Sequence, residues 1–158
     1  MNWNVVTFSQ LTTDSLYELL TLRTDIFVVE QACAYPELDG KDRHPQTLHV
    51  LGTDDEGRLL AYSRLLAPGL SYLQASIGRV AVAKAGRGQG LAQQLMQISI
   101  ETALKTWPEA GIQIGAQEYL SHFYQGLNFV VNSEVYLEDG IPHLDMLFQR
   151  PQHNDRLY

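Results

Sequence analysis

The segment Gly86-Arg87-Gly88-Gln89-Gly90-Leu91-Ala92 constrains this chain more than any other. An apolar run, Ile77 to Ala83, precedes it. After it, apolar residues recur at helical spacing: Leu91, Leu95 and Ile98, then Met96, Ile100, Ala103 and Leu104. The segment therefore reads as a turn between a strand (77–83) and a long helix (88–106) that Pro108 closes. Glycine loses more backbone freedom on folding than any other residue. Three within five positions imply left-handed backbone, or an approach too close for side chains. Such a turn also suits an anion. The first amides of a helix have no partner inside it, and the aligned peptide dipoles add positive charge there. Arg87 adds a full charge, so the pattern points to a ligand carrying phosphate or pyrophosphate.

The other 151 residues set bounds. A chain of 158 residues, 45 % apolar and 18 % charged, fits one globular domain with a sizeable core. We assign it residues 1–150, followed by a polar tail, 151–158, expected to fray. The net charge of −7 gives no basic footprint, so no nucleic-acid partner is expected. The opening MNWNVVTFSQ lacks the charged and apolar regions of a signal peptide, and no apolar run is long enough to span a bilayer. A cytoplasmic location without a membrane partner follows as the expectation. Cys33 is the only cysteine, which rules out an internal disulfide or a thiolate cluster. The ELDGKD loop fails the calcium-loop pattern, and His44 and His49 lack a third ligand, so no metal is expected.

The remaining elements follow from periodicity and turn residues. Strands are predicted at 3–8, 47–52, 58–66, 112–117, 129–137 and 142–148. Ser15 and Glu18 have capping-box spacing for a helix, broken or continuous, toward Glu30. A short helix is predicted at 119–127, and Glu138-Asp139-Gly140 marks a hairpin. The expected fold class is α/β (α+β): a mixed, mainly antiparallel sheet of six to seven strands flanked by helices. One central βαβ unit, strand 77–83 to helix to strand 112–117, is expected to be parallel and right-handed.

Three ligand classes compete for the glycine turn. A P-loop needs Lys-Ser or Lys-Thr after the last glycine, and neither follows Gly90. The dinucleotide fingerprint needs G-x-G-x-x-G after a first parallel strand, and here the spacing is Gly86-x-Gly88-x-Gly90. The third class is the pyrophosphate of coenzyme A. Here Arg87-Gly88-Gln89-Gly90-Leu91-Ala92 resembles the R/Q-x-x-G-x-G/A motif of the GNAT acyltransferase superfamily. Val80-Ala81-Val82 stands upstream at the usual distance. Gln117-x-x-Leu120-x-x-Phe123-Tyr124, with Asn128-Phe129 beyond, is similar to a second motif of that family. Phe27 to Gln31, Glu37 to Gly40, Gly115 to Gln117 and Glu138 to His143 resemble its ElaA-like branch. Two departures stand out: Gln117 where many members have Asn, and Asn128 where they have Gly. Asn is the non-glycine residue best suited to a left-handed turn.

The resemblance implies acetyl transfer from acetyl-CoA to a primary amine, a small molecule or a protein, by direct attack. The cofactor-binding residues it implies are Val80, Ala81, Val82, Arg87, Gly88, Gln89, Gly90, Leu91, Ala92, Gln117 and Tyr124. In that family the strand holding Val80 and Val82 splays from its parallel neighbour, and the Val82 amide is the candidate oxyanion donor. Tyr124 is the candidate general acid, since a phenol stays protonated at neutral pH. An alkyl ammonium has a pKa near ~10.4, so a base or water chain must remove its proton. Glu30 and Glu118 are the catalytic candidates for that role, with His49, His122 and His143 beside them. The acidic loop of Glu37, Asp39 and Asp42 reads either as solvated or as an attractant for a cationic acceptor. Two classes of function stay open: an N-acetyltransferase, and a non-catalytic acyl-CoA-binding sensor or partner-regulating module. Monomer and homodimer both fit.

Overall fold

A computed structural model of the chain describes residues 1–151. The 152–158 part of the polar tail lies outside the described residues. The chain divides into two compact units, Met1–Ile112 and a second that starts at Gln113.

The first unit is built on four antiparallel strands: β1 (Asn2–Val6), β2 (Leu48–Thr53), β3 (Leu59–Leu66) and β4 (Ala75–Val82), each paired with the next. Helix α1 (Thr13–Arg23) follows β1, and α2 (Leu91–Thr106) follows β4. Gly52 lies opposite Trp3 in the register, and a Cβ there would meet the indole ring at 2.5 Å. The missing side chain is therefore what lets Trp3 lie across β2. Leu19, Leu51 and Tyr62 form a buried cluster, with Leu16, Leu20 and Leu59 packed around it. Along α2, Leu91, Leu95, Met96, Ile100 and Ala103 are buried. These are residues of the apolar stripe read from the sequence.

Helix α1 starts at Thr13, two residues before Ser15, because Thr12 is its N-cap and accepts from the Ser15 amide at 3.0 Å. The expected break toward Glu30 takes an unusual form: residues Thr24–Glu30 make a π-helix. Such stretches are rare and gather at functional sites.

The second unit holds β5 (Ile112–Gln117), α3 (Ser121–Gln125), β6 (Phe129–Val131), β7 (Tyr136–Glu138) and β8 (Ile141–Phe148). Strand β8 pairs antiparallel with β5, β6 and β7. The described residues thus form eight strands, where six or seven were expected. The predicted strand 129–137 is two short strands, β6 and β7. On the apolar face the Phe129 ring meets Phe148 edge-on at 5.4 Å and Tyr124 of α3 at 5.9 Å. Asn128 has φ +72°, the left-handed conformation its side chain tolerates. No helix among the described residues is long and apolar enough to cross a membrane.

Candidate active site

Strand β4 is irregular where the first motif begins. Between the register pairs Tyr62↔Ala81 and Arg64↔Gly78, β4 spends one more residue than β3. This is a bulge, and within it Arg79 has φ +51°. Downstream, the Ala83 amide donates to the Leu60 carbonyl of β3 at 2.8 Å. Backbone groups alternate direction along a strand, so the Val82 N–H and C=O point away from β3. The Val82 carbonyl accepts from Arg87 Nε at 3.1 Å.

The three glycines of the turn serve two purposes. A Cβ on Gly86 would meet Leu91 Cδ1 at 2.9 Å and Leu60 Cβ at 3.3 Å, so this position is closed by packing. Gly88 and Gly90 have φ +79° and +75°, and a Cβ on either would meet nothing within 4 Å. Their reason is backbone conformation, which keeps the space before α2 free of side chains. Gly90 is the N-cap of α2, without a side-chain cap, and the first amide bonded back into the helix is that of Gln94. The amides of Leu91, Ala92 and Gln93 precede it at the positive end of the helix dipole.

Arg87 is also engaged. Its Nη1 and Nη2 donate to the two oxygens of Glu30 at 3.1 and 2.9 Å. This hydrogen bond, with the charge of Arg87, holds the Glu30 carboxyl below its ordinary range. A carboxylate so held is a weak proton acceptor at neutral pH.

The acidic loop is solvated only in part, since Asp39 is exposed while its other two acids turn inward. Glu37 and Asp42 are buried and face three arginines from distant parts of the first unit. Arg23, fully buried, donates to Glu37 at 2.6 Å and to Asp42 at 2.7 Å. Arg64 binds Asp39 through two bonds of 2.8 Å and Asp42 at 3.1 Å. Arg79, on the bulge, pairs with Glu37 at 2.6 Å, and its guanidinium lies 5.9 Å from the Tyr35 ring centre. Nothing in the local sequence marks this network, because its partners lie 14 to 42 residues apart. His49 belongs to the same interior. Its Nδ1 lies 2.7 Å from the Tyr62 hydroxyl and its Nε2 3.1 Å from the Asp42 carbonyl. Burial lowers its pKa, and both ring nitrogens are spoken for.

In the second unit, Gln117 ends β5 and is half-buried. Glu118 is exposed in a 3-10 turn, Glu118–Leu120, so it does not share the regular helix of His122. Tyr124 is buried on α3. Burial pushes its hydroxyl up to about 12, with a smaller push from Tyr119, so it stays protonated at neutral pH. Among the described residues no group of three or more His, Cys, Asp or Glu is arranged to hold a metal ion.

The profile of the Acetyltransferase (GNAT) domain matches residues 28–149. This chain belongs to the GNAT family. Within it, protein ElaA of Escherichia coli is 42 % identical over 146 residues, or 92 % of this chain and 95 % of ElaA. The crystal structure of E. coli ElaA matches with a TM-score of 0.86 at 41 % identity, covering 94 % of this chain and 100 % of that one. An acyl-CoA N-acyltransferase from Pseudomonas aeruginosa matches with a TM-score of 0.88 at 44 % identity, covering 94 % and 99 %. The fold is accordingly the mixed, mainly antiparallel α/β fold of the GNAT acyltransferases, and the resemblance to ElaA read from short motifs extends over most of the chain.

Proposed function

We propose that residues 1–150 act as one acyltransferase domain, which moves the acetyl group of acetyl-CoA to a primary amine by direct attack. The observation that carries this reading is the turn before α2. In a GNAT chain, two left-handed glycines there leave backbone amides accessible where a pyrophosphate would bind. The amides of Gly88, Gln89, Gly90, Leu91 and Ala92, with Arg87, take the pyrophosphate. The backbone of Val80, Ala81 and Val82 takes the pantetheine arm, and the Gln117 side chain is a further contact to it.

The chemistry follows from the same residues. The Val82 N–H, turned away from β3, donates to the carbonyl oxygen as negative charge grows on it. Tyr124 gives a proton to the departing thiolate, for which a protonated phenol is suited. Glu30 is ill-suited to accept the amine's proton while Arg87 clasps it, and exposed Glu118 stands as the other carboxylate candidate.

Calorimetric titration of acetyl-CoA into the wild type and into an Arg87→Ala, Gly90→Glu double variant tests the reading. We expect wild-type binding that the folded double variant loses. Thiol release and product mass with a panel of primary amines and alcohols then identify the acceptor class. A folded wild type that binds no acetyl-CoA would overturn the proposal.

A further inference from the structure

The hairpin motif Glu138-Asp139-Gly140-Ile141-Pro142-His143 has entered the chemistry so far only through His143, one of several candidate bases, and the structure gives it a setting. Asp139 and Gly140 have φ +50° and +78°. Both central residues are left-handed, as in a two-residue type I′ turn. That turn sets the register Glu138↔Ile141 and Tyr136↔His143. Strand β5 pairs on the other edge of β8, with Gln117↔His143 and Gly115↔Asp145. Directly opposed residues share a face, and alternate residues take opposite faces. Ala116, Ile114, Leu144 and Met146 are buried on the apolar face. Gln117, His143, Tyr136, Glu138 and Asp145 therefore line the other face, beside Gly115, which carries no side chain, and His143 is itself buried there.

The geometry of this face is specific. His143 Nδ1 lies 2.7 Å from the Ile141 carbonyl oxygen. A carbonyl can only accept, so Nδ1 carries the hydrogen, and in the neutral ring Nε2 keeps the lone pair. The imidazole stacks on Tyr136, with ring centres 5.9 Å apart and planes at 24°. Nε2 faces Glu138 Oε2 at 3.4 Å, so a carboxylate stands ready to balance a charged ring. The Tyr136 hydroxyl donates to Asp145 Oδ1 at 2.7 Å, which orients a second carboxylate opposite Gly115. Its amide accepts no such role, but donates to Ser133 Oγ at 2.9 Å and fixes the strand there. Among the described residues of the second unit, the charged and titratable groups around His143 on this face are Glu138 and Tyr136 from β7 and Asp145 along β8, while β5 presents the neutral Gln117.

We infer that this polar face is the acceptor subsite, taking a cationic primary amine, with His143 Nε2 as the group that removes its proton. The inference rests on the N-acyltransfer reading above. Asp145 attracts the ammonium to this face. His143 takes one proton from the ammonium, and the nitrogen lone pair so released forms the N–C bond to the thioester carbonyl. The C–S bond then breaks, with its electron pair staying on sulfur. The nitrogen loses a second proton and the sulfur gains one. The products are the amide, free CoA thiol and one net proton, which leaves His143 for solvent.

The test uses the full chain, acetyl-CoA and a panel of alkylamines, polyamines, lysine and a peptide with a free N-terminus. For an amine that the wild type acylates, His143→Gln should lower kcat/KM by about 10²-fold or more and remove the histidine inflection from its pH profile. Acetyl-CoA affinity should stay within about twofold, and imidazole should restore part of the activity to His143→Ala. Asp145→Asn should raise KM for the amine more than it lowers kcat. A His143→Gln protein that keeps the wild-type pH profile and rate overturns this inference and leaves the N-acyltransfer reading intact. Loss of acetyl-CoA binding by the wild type overturns both. Should the variants fail to fold, histidine NMR of the wild type with CoA decides: amines must shift the His143 ring signals, and signals unmoved by every amine at saturation overturn the assignment.

Discussion

Arg87 clasps Glu30 through two hydrogen bonds, 3.1 and 2.9 Å long, and so joins the end of the π-helix to the glycine turn before α2. The pair is exposed, with Arg87 at 40 % and Glu30 at 37 %. Exposed pairs of this kind are screened by solvent and contribute little to stability. A pyrophosphate arriving at the turn competes with Glu30 for the same guanidinium. Glu30→Gln should therefore tighten acetyl-CoA binding modestly, by about 1.5- to 5-fold, while kcat changes little. Calorimetry and steady-state kinetics check both parts. A fall in kcat of about 100-fold or more would instead make Glu30 the proton acceptor.

Tyr124 offers a second test. Its ring packs edge-on against Phe129, and burial keeps the hydroxyl protonated up to about pH 12. Tyr124→Phe keeps the ring packing and removes only the hydroxyl. We expect kcat to fall by about 10²-fold or more, with the melting temperature and acetyl-CoA affinity nearly unchanged. An unchanged kcat would leave Tyr124 as a packing residue of α3.

The buried arginine network predicts how the first unit responds to acid. Burial pushes the Asp42 carboxyl up, but the hydrogen bonds and charges of Arg23 and Arg64 outweigh it and hold the group below its ordinary range. Asp39 is likewise held down, with Arg64 overriding the effect of burial. A carboxylate whose pKa is lowered by folding contributes stability above its unfolded pKa of about 4, and that contribution is lost as pH falls toward the folded value. Asp42→Ala leaves Arg23 its bond to Glu37 and Arg64 its bonds to Asp39, but sets three guanidiniums against two carboxylates. One positive charge of this interior is then uncompensated, so the expected loss is about 3 kcal/mol or more. For a chain of this size that is a drop in melting temperature of about 6 °C or more. Melting curves at neutral and acid pH check it: the gap between variant and wild type should narrow as the pH falls.

Some of this was legible in the residues themselves. The glycine turn follows from backbone sterics at Gly88 and Gly90, and the left-handed Asn128 from the tolerance of its side chain. The hairpin at Asp139-Gly140 follows from turn chemistry. Other features depend on contacts between distant residues. Arg23, Arg64 and Arg79 show no spacing that marks them as partners of Glu37, Asp39 and Asp42. The bulge at Arg79 arises from a register shift between β3 and β4, which a single strand cannot reveal. Tyr136 and Asp145 meet His143 only through strand pairing, so neither stood out as a site residue. The break between β6 and β7 interrupts a run of residues with ordinary strand character, Val130, Val131 and Val135 among them.

The two kinds of glycine in the turn should respond differently to the same added methyl group. Gly86→Ala forces a Cβ against Leu91 and Leu60, a clash of packing. Shortening the side chain that it meets first, in Gly86→Ala, Leu91→Ala, should recover part of the loss relative to the sum of the single changes. Gly88→Ala meets nothing within 4 Å, and its cost comes from a φ of +79°. That cost is about 1–2 kcal/mol, and no truncation of a neighbour can relieve it. Gly88→Asn, which tolerates the left-handed region, should relieve it instead. Melting temperatures of these variants separate the two causes. Acetyl-CoA titration of Gly88→Asn then asks whether the open space itself matters: weakened binding in a stable protein would mean that the ligand occupies it.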